Sequence, residues 1–354
     1  MTATRKLVLS TPADILAAVP YLIGFHPADS LVVTGFAGRA LRLSTRWDLP
    51  SRPGDLDPLV PLLRREQVTM AIVVGYGSGR LVTPAVDEVM RRLAQAGIGV
   101  AEALRADEDR YWSYACADPA CCPADGTPYD PEFSHVAAEA VVHGLVALPD
   151  RVSLRRSLEP SGGAAMREAT RRVVADLRTR LAGRDTSTDG FAAVFVADGL
   201  ARVRAAIERY ASGGRLDDDE AARLGFDLAV IRIRDEAWAL FDDRDAHSIL
   251  WRDLTRRLEP CCVAPAASLL AAAAWRAGDC ALASMALDRA LAADPGYSMA
   301  ILLRQALAHL LPPDALGDRM PSPEDIDIEM GPPNSGWLAP LCALLGEEPS
   351  ALAG

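Results

Sequence analysis

The chain has 354 residues, half of them apolar, which is enough for two ordinary domains whose cores need no disulfide staples. Its 37 basic residues are outnumbered by 48 acidic ones for a formal charge of −11, and no basic cluster is dense enough to track a phosphate backbone, so nucleic acid is not expected as a partner. The apolar run near the start is interrupted by Asp14 and Pro20, so neither a membrane span nor a secretory leader is expected, and the reading is a cytoplasmic protein with reduced cysteines.

Thr11, Pro12 and Asp14 form a helix-start pattern, and Gly24 ends that helix. The runs Ser30 to Phe36 and Ala40 to Leu49 read as two strands joined by a hairpin at residues 37–39. A helix follows over Leu56 to Glu66. Val68 to Tyr76 is almost continuously apolar and β-branched, as a central strand covered on both faces would be. The loop after it leads to a helix from Pro84 to Ala96 and a strand over Gly99 to Ala106, a unit whose two strands run parallel. Arg110 to Cys116 pairs back on that strand and enters a turn-rich knuckle at residues 111–129.

After residues 159–165, a Gly-rich and Pro-containing boundary, the strand signal ends. The segments 166–181, 190–211 and 221–241 each repeat apolar residues at helical spacing. The fold class is therefore an α/β or α+β domain over 1–158, with a mixed sheet of about five strands, followed by an all-helical domain over 165–311. A Pro-rich acidic tail, 312–354, is expected to dock loosely, with a short helix near Trp337 to Leu345.

Leu269 to Tyr297 resembles a tetratricopeptide-type repeat, with Gly278 and Asp279 in the turn, small Ala283 and Ala290 on the second helix, and Asp294 and Pro295 after it. The functional reading is a concave peptide-binding surface. The alternative is a helical hairpin packed into the domain core.

Cys116, Cys121 and Cys122 are three of seven cysteines, with four residues between the first and the adjacent pair and His135 thirteen residues on. With His135 they would make a set of three thiolates and one imidazole for zinc, although adjacent cysteines tend to point apart. Redox use and inert packing are the other readings. Cys261 and Cys262 form a second adjacent pair, whose plain reading is buried packing.

Gly24 to Ser30 brings together His26, Asp29 and Ser30, the side-chain types of a base, an acid and a nucleophile. Groups so close in sequence seldom form a triad, and the turn feeds the start of a strand, whereas ligands of open sheets gather at strand carboxyl ends. Gly75, Gly77, Gly79 and Arg80 follow the central strand, where a glycine loop can hold phosphate. Arg80 occupies the place of the third fingerprint glycine, which leaves a plain connection as the alternative.

Residues 11–33, the knuckle from Tyr111 to Pro128 and Ala286 to Leu303 together resemble the actinobacterial family catalogued as domain of unknown function 4192. The resemblance spans roughly residues 8–311. It implies an actinobacterial, cytosolic protein and brings no catalytic residues with it. The function expected is a protein-interaction or scaffold role for the helical half, with protein as partner. The alternative is a thiol- or metal-dependent enzyme or redox sensor centred on Cys116, Cys121 and Cys122.

Overall fold

In a computed structural model of the protein, helix α1 (Pro12–Ile23) opens at Thr11, whose hydroxyl accepts from the Asp14 amide while the Asp14 carboxylate accepts from the Thr11 amide. This reciprocal pair satisfies two first-turn donors that would otherwise lack partners. Gly24, at φ 82°, ends the helix in the left-handed region that glycine tolerates. The described residues are 9–130, 134–142, 145–182, 189–312, 322–331 and 334–346. By its internal contacts the chain divides into two units, Met1–Leu154 and Arg155–Gly354.

The first unit is built on a mixed sheet. Its strands are β1 (Ser30–Ala37), β2 (Ala40–Asp48), β3 (Met70–Tyr76), β4 (Gly99–Asp107), β5 (Arg110–Ser113) and β6 (Thr127–Pro128), in the order β2-β1-β3-β4-β5-β6. The β3–β4 pair is parallel and the other pairs are antiparallel. The six strands exceed the expected five by β6, whose two residues are too few to leave a periodic signal. On one face Leu31, Val33, Ala71, Val73 and Ala103 pack against α2 (Leu59–Arg65) and against Val82, Val86 and Val89 of α3 (Gly79–Ala96). The other side is covered by α1, which touches β2 and β4, with α4 (His135–Val142) packed on it through Ala17, Ala18 and Val136. β3 is consequently covered on both faces, as its unbroken apolar run requires.

Helix α3 starts at Gly79 and not at the expected Pro84. Ser78 takes the extended N-cap conformation, and Pro84 sits inside the helix, where it forgoes one amide hydrogen bond. The compensation is packing: fully buried Val82 lies directly over Gly75 of β3, so closely that a Cβ at Gly75 would sit 2.1 Å from its Cγ1. The early start also makes Gly79 and Arg80 helical residues, where a flexible loop was the plain expectation.

A short helix, α5 (Arg151–Arg156), leads out of the first unit. The second consists of α6 (Gly163–Ala182), α7 (Asp189–Ala211), α8 (Asp218–Asp227), α9 (Ile231–Ala239), α10 (Ala246–Arg257), α11 (Pro260–Arg276), α12 (Cys280–Ala293) and α13 (Ser298–Ala308), with no strand among its described residues. The helical pattern of 221–241 breaks at Leu228 to Val230, where backbone bonds tighten to three-residue spacing and the chain restarts. Just before the break the fully buried Asp227 is clasped by Arg202 at 2.6 Å and Arg223 at 3.1 Å. α11 and α12 form the hairpin read from the sequence. Gly278, at φ 83°, closes its turn, Asp279 accepts from the Leu282 amide, and Ala283 and Ala290 are fully buried. α11 is buried along most of its length, Trp275 included. In the tail, residues 313–321, 332–333 and 347–354 lie outside the described residues. The acidic run forms a helix, Pro323–Met330, and a further helix at Ala339–Leu344 buries Leu341 and Cys342. No described helix is long and apolar enough to cross a membrane.

Two outcomes follow from this packing. Gly75→Ala should cost about 1–3 kcal/mol, as overpacking does, and the double variant with Val82→Ala should recover part of the loss in urea denaturation. Equal losses in the single and double variants would contradict the close approach. In the second unit, His247 is 2% exposed and its Nε2 lies 3.1 Å from Asp242 Oδ1. Burial, only partly countered by Asp242, holds the imidazole below its ordinary 6.5. Below that pH the unfolded chain binds a proton that the folded chain refuses, so stability is lost as the pH is lowered, by at most about 1.4 kcal/mol per unit from this group. His247→Gln should flatten that acid limb of the urea midpoint below pH 6.5, even if it lowers stability at neutral pH.

Candidate functional site

The antiparallel pairing of β1 with β3 sets Ser30 opposite Tyr76, so the start of β1 lies beside the carboxyl end of β3. The turn carrying His26, Asp29 and Ser30 therefore meets the glycine loop, although one precedes its strand and the other follows its own. Contact is close: a Cβ on Gly77, whose φ is 124°, would fall 3.0 Å from Asp29 Oδ1. Asp29 itself adopts φ 42°. Ser30 is fully buried, and its hydroxyl, like that of Tyr76 opposite, has no partner among the described residues. His26 is anchored by its backbone, which donates to the Leu148 carbonyl at 2.9 Å. The three side chains do not assemble as a base, acid and nucleophile, because the Ser30 hydroxyl bonds to neither of the others.

One strand further on, Gly79 lets the Arg105 guanidinium approach the first turn of α3, with Nη1 3.4 Å from where a Cβ would stand. Arg105 lies over Trp112 of β5, 3.5 Å from the ring centroid, and reaches Asp107 at 3.4 Å. Gly75 is buried in β3, and Arg80 is exposed in the first turn of α3.

Trp112 also pins the cysteine knuckle. Its indole N–H donates to the Ala124 carbonyl at 3.0 Å, and the ring leaves no room for a Cβ at Gly126, which would come within 2.6 Å. Arg110 holds the same stretch by donating to the Gly126 carbonyl at 2.8 Å. Within the knuckle, the Asp118 carbonyl accepts from the amides of both Cys121 and Cys122, and the Asp118 carboxylate accepts from the Ala120 amide. This tight turn brings the sulfurs of Cys116, Cys121 and Cys122 within 4.8 Å of one another. A proton shared with Cys122, helped by the Asp118 amide, draws the Cys116 thiol down, and the same sharing pushes Cys122 up to about 12. Burial raises the nearby Tyr111 phenol, a bond to Thr127 partly offsets the rise, and charge on Cys122 and Cys121 adds to it.

A family model described as Domain of unknown function (DUF4192) matches residues 12–314. The chain belongs to that family. No curated protein and no solved structure matches it.

In this DUF4192 chain the matched region takes in the His26 turn, the glycine loop and the knuckle. His135 stands apart from the thiols: it opens α4, is mostly exposed, and its Nδ1 lies 3.7 Å from Asp14 of α1. Burial acts to raise the Asp14 carboxyl, but the Ser10 amide, the Thr11 hydroxyl and amide and the nearby His135 outweigh it and hold it low. The cluster among the described residues is thus three thiols without a histidine, and the expected imidazole ligand is missing from it. Sequence reasoning missed Arg105, Tyr111 and Trp112, the residues that tie the motifs together. The alternation in Arg110 to Ser113 offered one signal, since it sends Tyr111 and Trp112 to opposite faces of β5.

Gly126→Ala forces both a positive φ of 84° and a clash with Trp112. Amide exchange in residues 112–126 should speed up while α3 is unaffected. Unchanged exchange in the knuckle would show that Trp112 does not anchor it.

Proposed function

We propose that the first unit of this DUF4192 protein is a metal-thiolate domain, in which Cys116, Cys121 and Cys122 bind one zinc ion and leave its fourth position to water or an external ligand. The observation that carries this reading is the convergence of three sulfurs within 4.8 Å. With Zn–S bonds of about 2.3 Å, tetrahedral geometry separates neighbouring sulfurs by about 3.8 Å, so small side-chain adjustments seat the ion. Thiolates favour zinc or another soft metal over magnesium or calcium. Three protein ligands and an open position are the pattern of sites that do chemistry, whereas purely structural zinc sites are closed by four. The metal would also brace the knuckle, since binding and local folding are coupled.

A second reading, an interaction role for the helical half, rests on a cleft of about 590 Å³ between α6, α7 and α8. Arg172, Arg180, Arg202, Arg209 and Arg223 line it, with Asp219 and Glu220 paired to Arg172 and Arg209 at its edge. A partner with acidic side chains would replace these exposed carboxylates at little cost, because surface ion pairs are weak. The repeat-like hairpin α11–α12 would then serve as the rigid support behind the cleft.

Elemental analysis of protein purified without chelators should find about one zinc per chain, and cobalt substitution should give the intense absorption of a thiolate-bound tetrahedral ion. Cys121→Ser should lose the metal, whereas His135→Ala should retain it. Protein that takes up neither zinc nor cobalt under reducing conditions would exclude the metal reading.

A further inference from the structure

The metal centre leaves four cysteines unexplained, and two of them touch. Cys261 and Cys262 lie in the first turn of α11 with their sulfurs 3.6 Å apart. Their surroundings differ sharply: Cys261 is exposed, and Cys262 is only 2% exposed, in the core of the helical unit. Glu259, at the N-cap, makes no side-chain bond to the first-turn amides, so the positive end of a 17-residue helix is uncapped beside Cys261. Deep burial disfavours the charged form of Cys262, which therefore keeps its proton and donates to Cys261. Cys261, as acceptor, is drawn down from an ordinary 9.0 to about 7, chiefly by that bond and against the opposing effects of partial burial and the Glu259 charge.

Cys280 supplies an internal comparison. It too is exposed and is the first residue of a helix, α12. Its neighbour is the Asp279 carboxylate, and the protein packed around the otherwise accessible sulfur, together with that charge, pushes its thiol up. Two thiols in the first turns of their helices thus differ in what stands beside them: at Cys261 a proton donor outweighs the nearby Glu259 charge, whereas at Cys280 the Asp279 carboxylate is opposed by no such donor.

We infer that Cys261 is a nucleophilic thiolate that accepts low-molecular-weight disulfides as a persistent mixed disulfide, with Cys262 as its fixed proton donor. In this exchange the Cys261 sulfur attacks one sulfur of R–S–S–R. The new S–S bond forms as the old one breaks, and the second RS⁻ leaves with the electron pair and takes a proton from water. Cys261 is oxidised and the released thiol is reduced. Cys262 cannot readily displace the adduct. Adjacent Cα atoms are about 3.8 Å apart across a trans peptide, below the roughly 4.4 Å minimum usual for disulfides. The helix also fixes the backbone that a vicinal disulfide would have to distort. The adduct therefore lasts until an external thiol removes it.

The test uses the full chain, with oxidised glutathione and iodoacetamide as probes and peptide mapping by mass spectrometry as readout. Lowering a thiol from 9 to 7 raises its thiolate fraction at pH 7 about 50-fold, and the accompanying loss of intrinsic nucleophilicity returns about tenfold. Because the Cys280 thiol lies above the ordinary value used for that comparison, iodoacetamide should label Cys261 at least about fivefold faster than Cys280 at pH 7. Oxidised glutathione should leave one glutathione on the Cys261 peptide, reversible by dithiothreitol. Cys262→Ala should abolish the rate advantage and Cys262→Ser, which retains a donor, should restore part of it, with circular dichroism confirming the fold of each. Equal labelling of Cys261 and Cys280 in the unmodified chain would overturn the inference, whatever the variants do. So would a Cys261–Cys262 disulfide in place of the adduct.

Discussion

The register of β1 against β3 decides where the chemistry of the first unit gathers. Placing Ser30 opposite Tyr76 folds the His26 turn back onto the carboxyl end of the parallel β3–β4 pair, the end where open α/β sheets offer their loops to ligands. Had β1 run parallel to β3, that turn would lie at the far end of the sheet, away from the glycine loop and Arg105. The register is well specified, because a one-residue slip would turn Leu31 and Val33 away from the cluster they share with α2 and α3 and put Ser30 and Val32 in their place. Side chains then extend the assembly across the sheet: Arg105 stands against Gly79 and on Trp112, and Trp112 holds the knuckle by Ala124 and Gly126. The thiols owe their position to this succession of contacts as much as to their own turn.

The elements most legible in the sequence were those whose local chemistry and burial agree. The Thr11–Asp14 box and Gly24 delimit α1, and the apolar run ending at Tyr76 marks a covered strand. Legibility failed where tertiary packing overrode a local rule. Pro84 normally marks a helix start, but Val82 must reach Gly75, and that contact carries α3 back to Gly79. Similarly, the apolar spacing through 221–241 is helical throughout, and nothing in it announces the break that follows the buried Asp227. The candidate site divides in the same way. That Cys116, Cys121 and Cys122 share a turn could be read from their spacing. That neighbouring cysteines converge could not, because it depends on the Asp118 carbonyl receiving two successive amides and curling the chain. The distance of His135 from the thiols is a matter of where α4 packs on α1, which sequence separation does not encode.

Nearly every basic residue of the chain is arginine, a usage that sequence alone ascribes to codon bias. In the helical unit the choice has structural consequences. Arg202 meets the buried Asp227 with two nitrogens, and Arg257 spans Asp253, Asp218 and the Leu216 carbonyl. Asp253 is shared further with Arg215 and Tyr210; burial would raise its carboxyl, but these donors together hold it low. Lysine, a single point charge, could not satisfy several acceptors in fixed directions. Such networks hold α7, α8 and α10 together by polar geometry where their apolar faces alone would permit sliding. Removing one member leaves its partners buried and uncompensated, which is costlier than the net worth of the pair.

The cysteines make the same point about neighbours. Three kinds of surrounding separate six of the seven: a turn that gathers sulfurs at an exposed edge, a helix start with a buried thiol as donor, and a helix start with a carboxylate beside it. Residue type and a place in the first helical turn are common to Cys261 and Cys280, so neither predicts reactivity. What distinguishes Cys261 is that its donor is covalently next to it and yet faces the core. The α-helical backbone achieves this by rotating successive side chains about 100°, so that one of two adjacent residues is exposed while the next is buried. The same rotation keeps the pair from closing into a disulfide. A vicinal dithiol on a strand would send its two thiols to opposite faces, out of each other's reach, so the donation that activates Cys261 depends on its remaining within the first turn of α11.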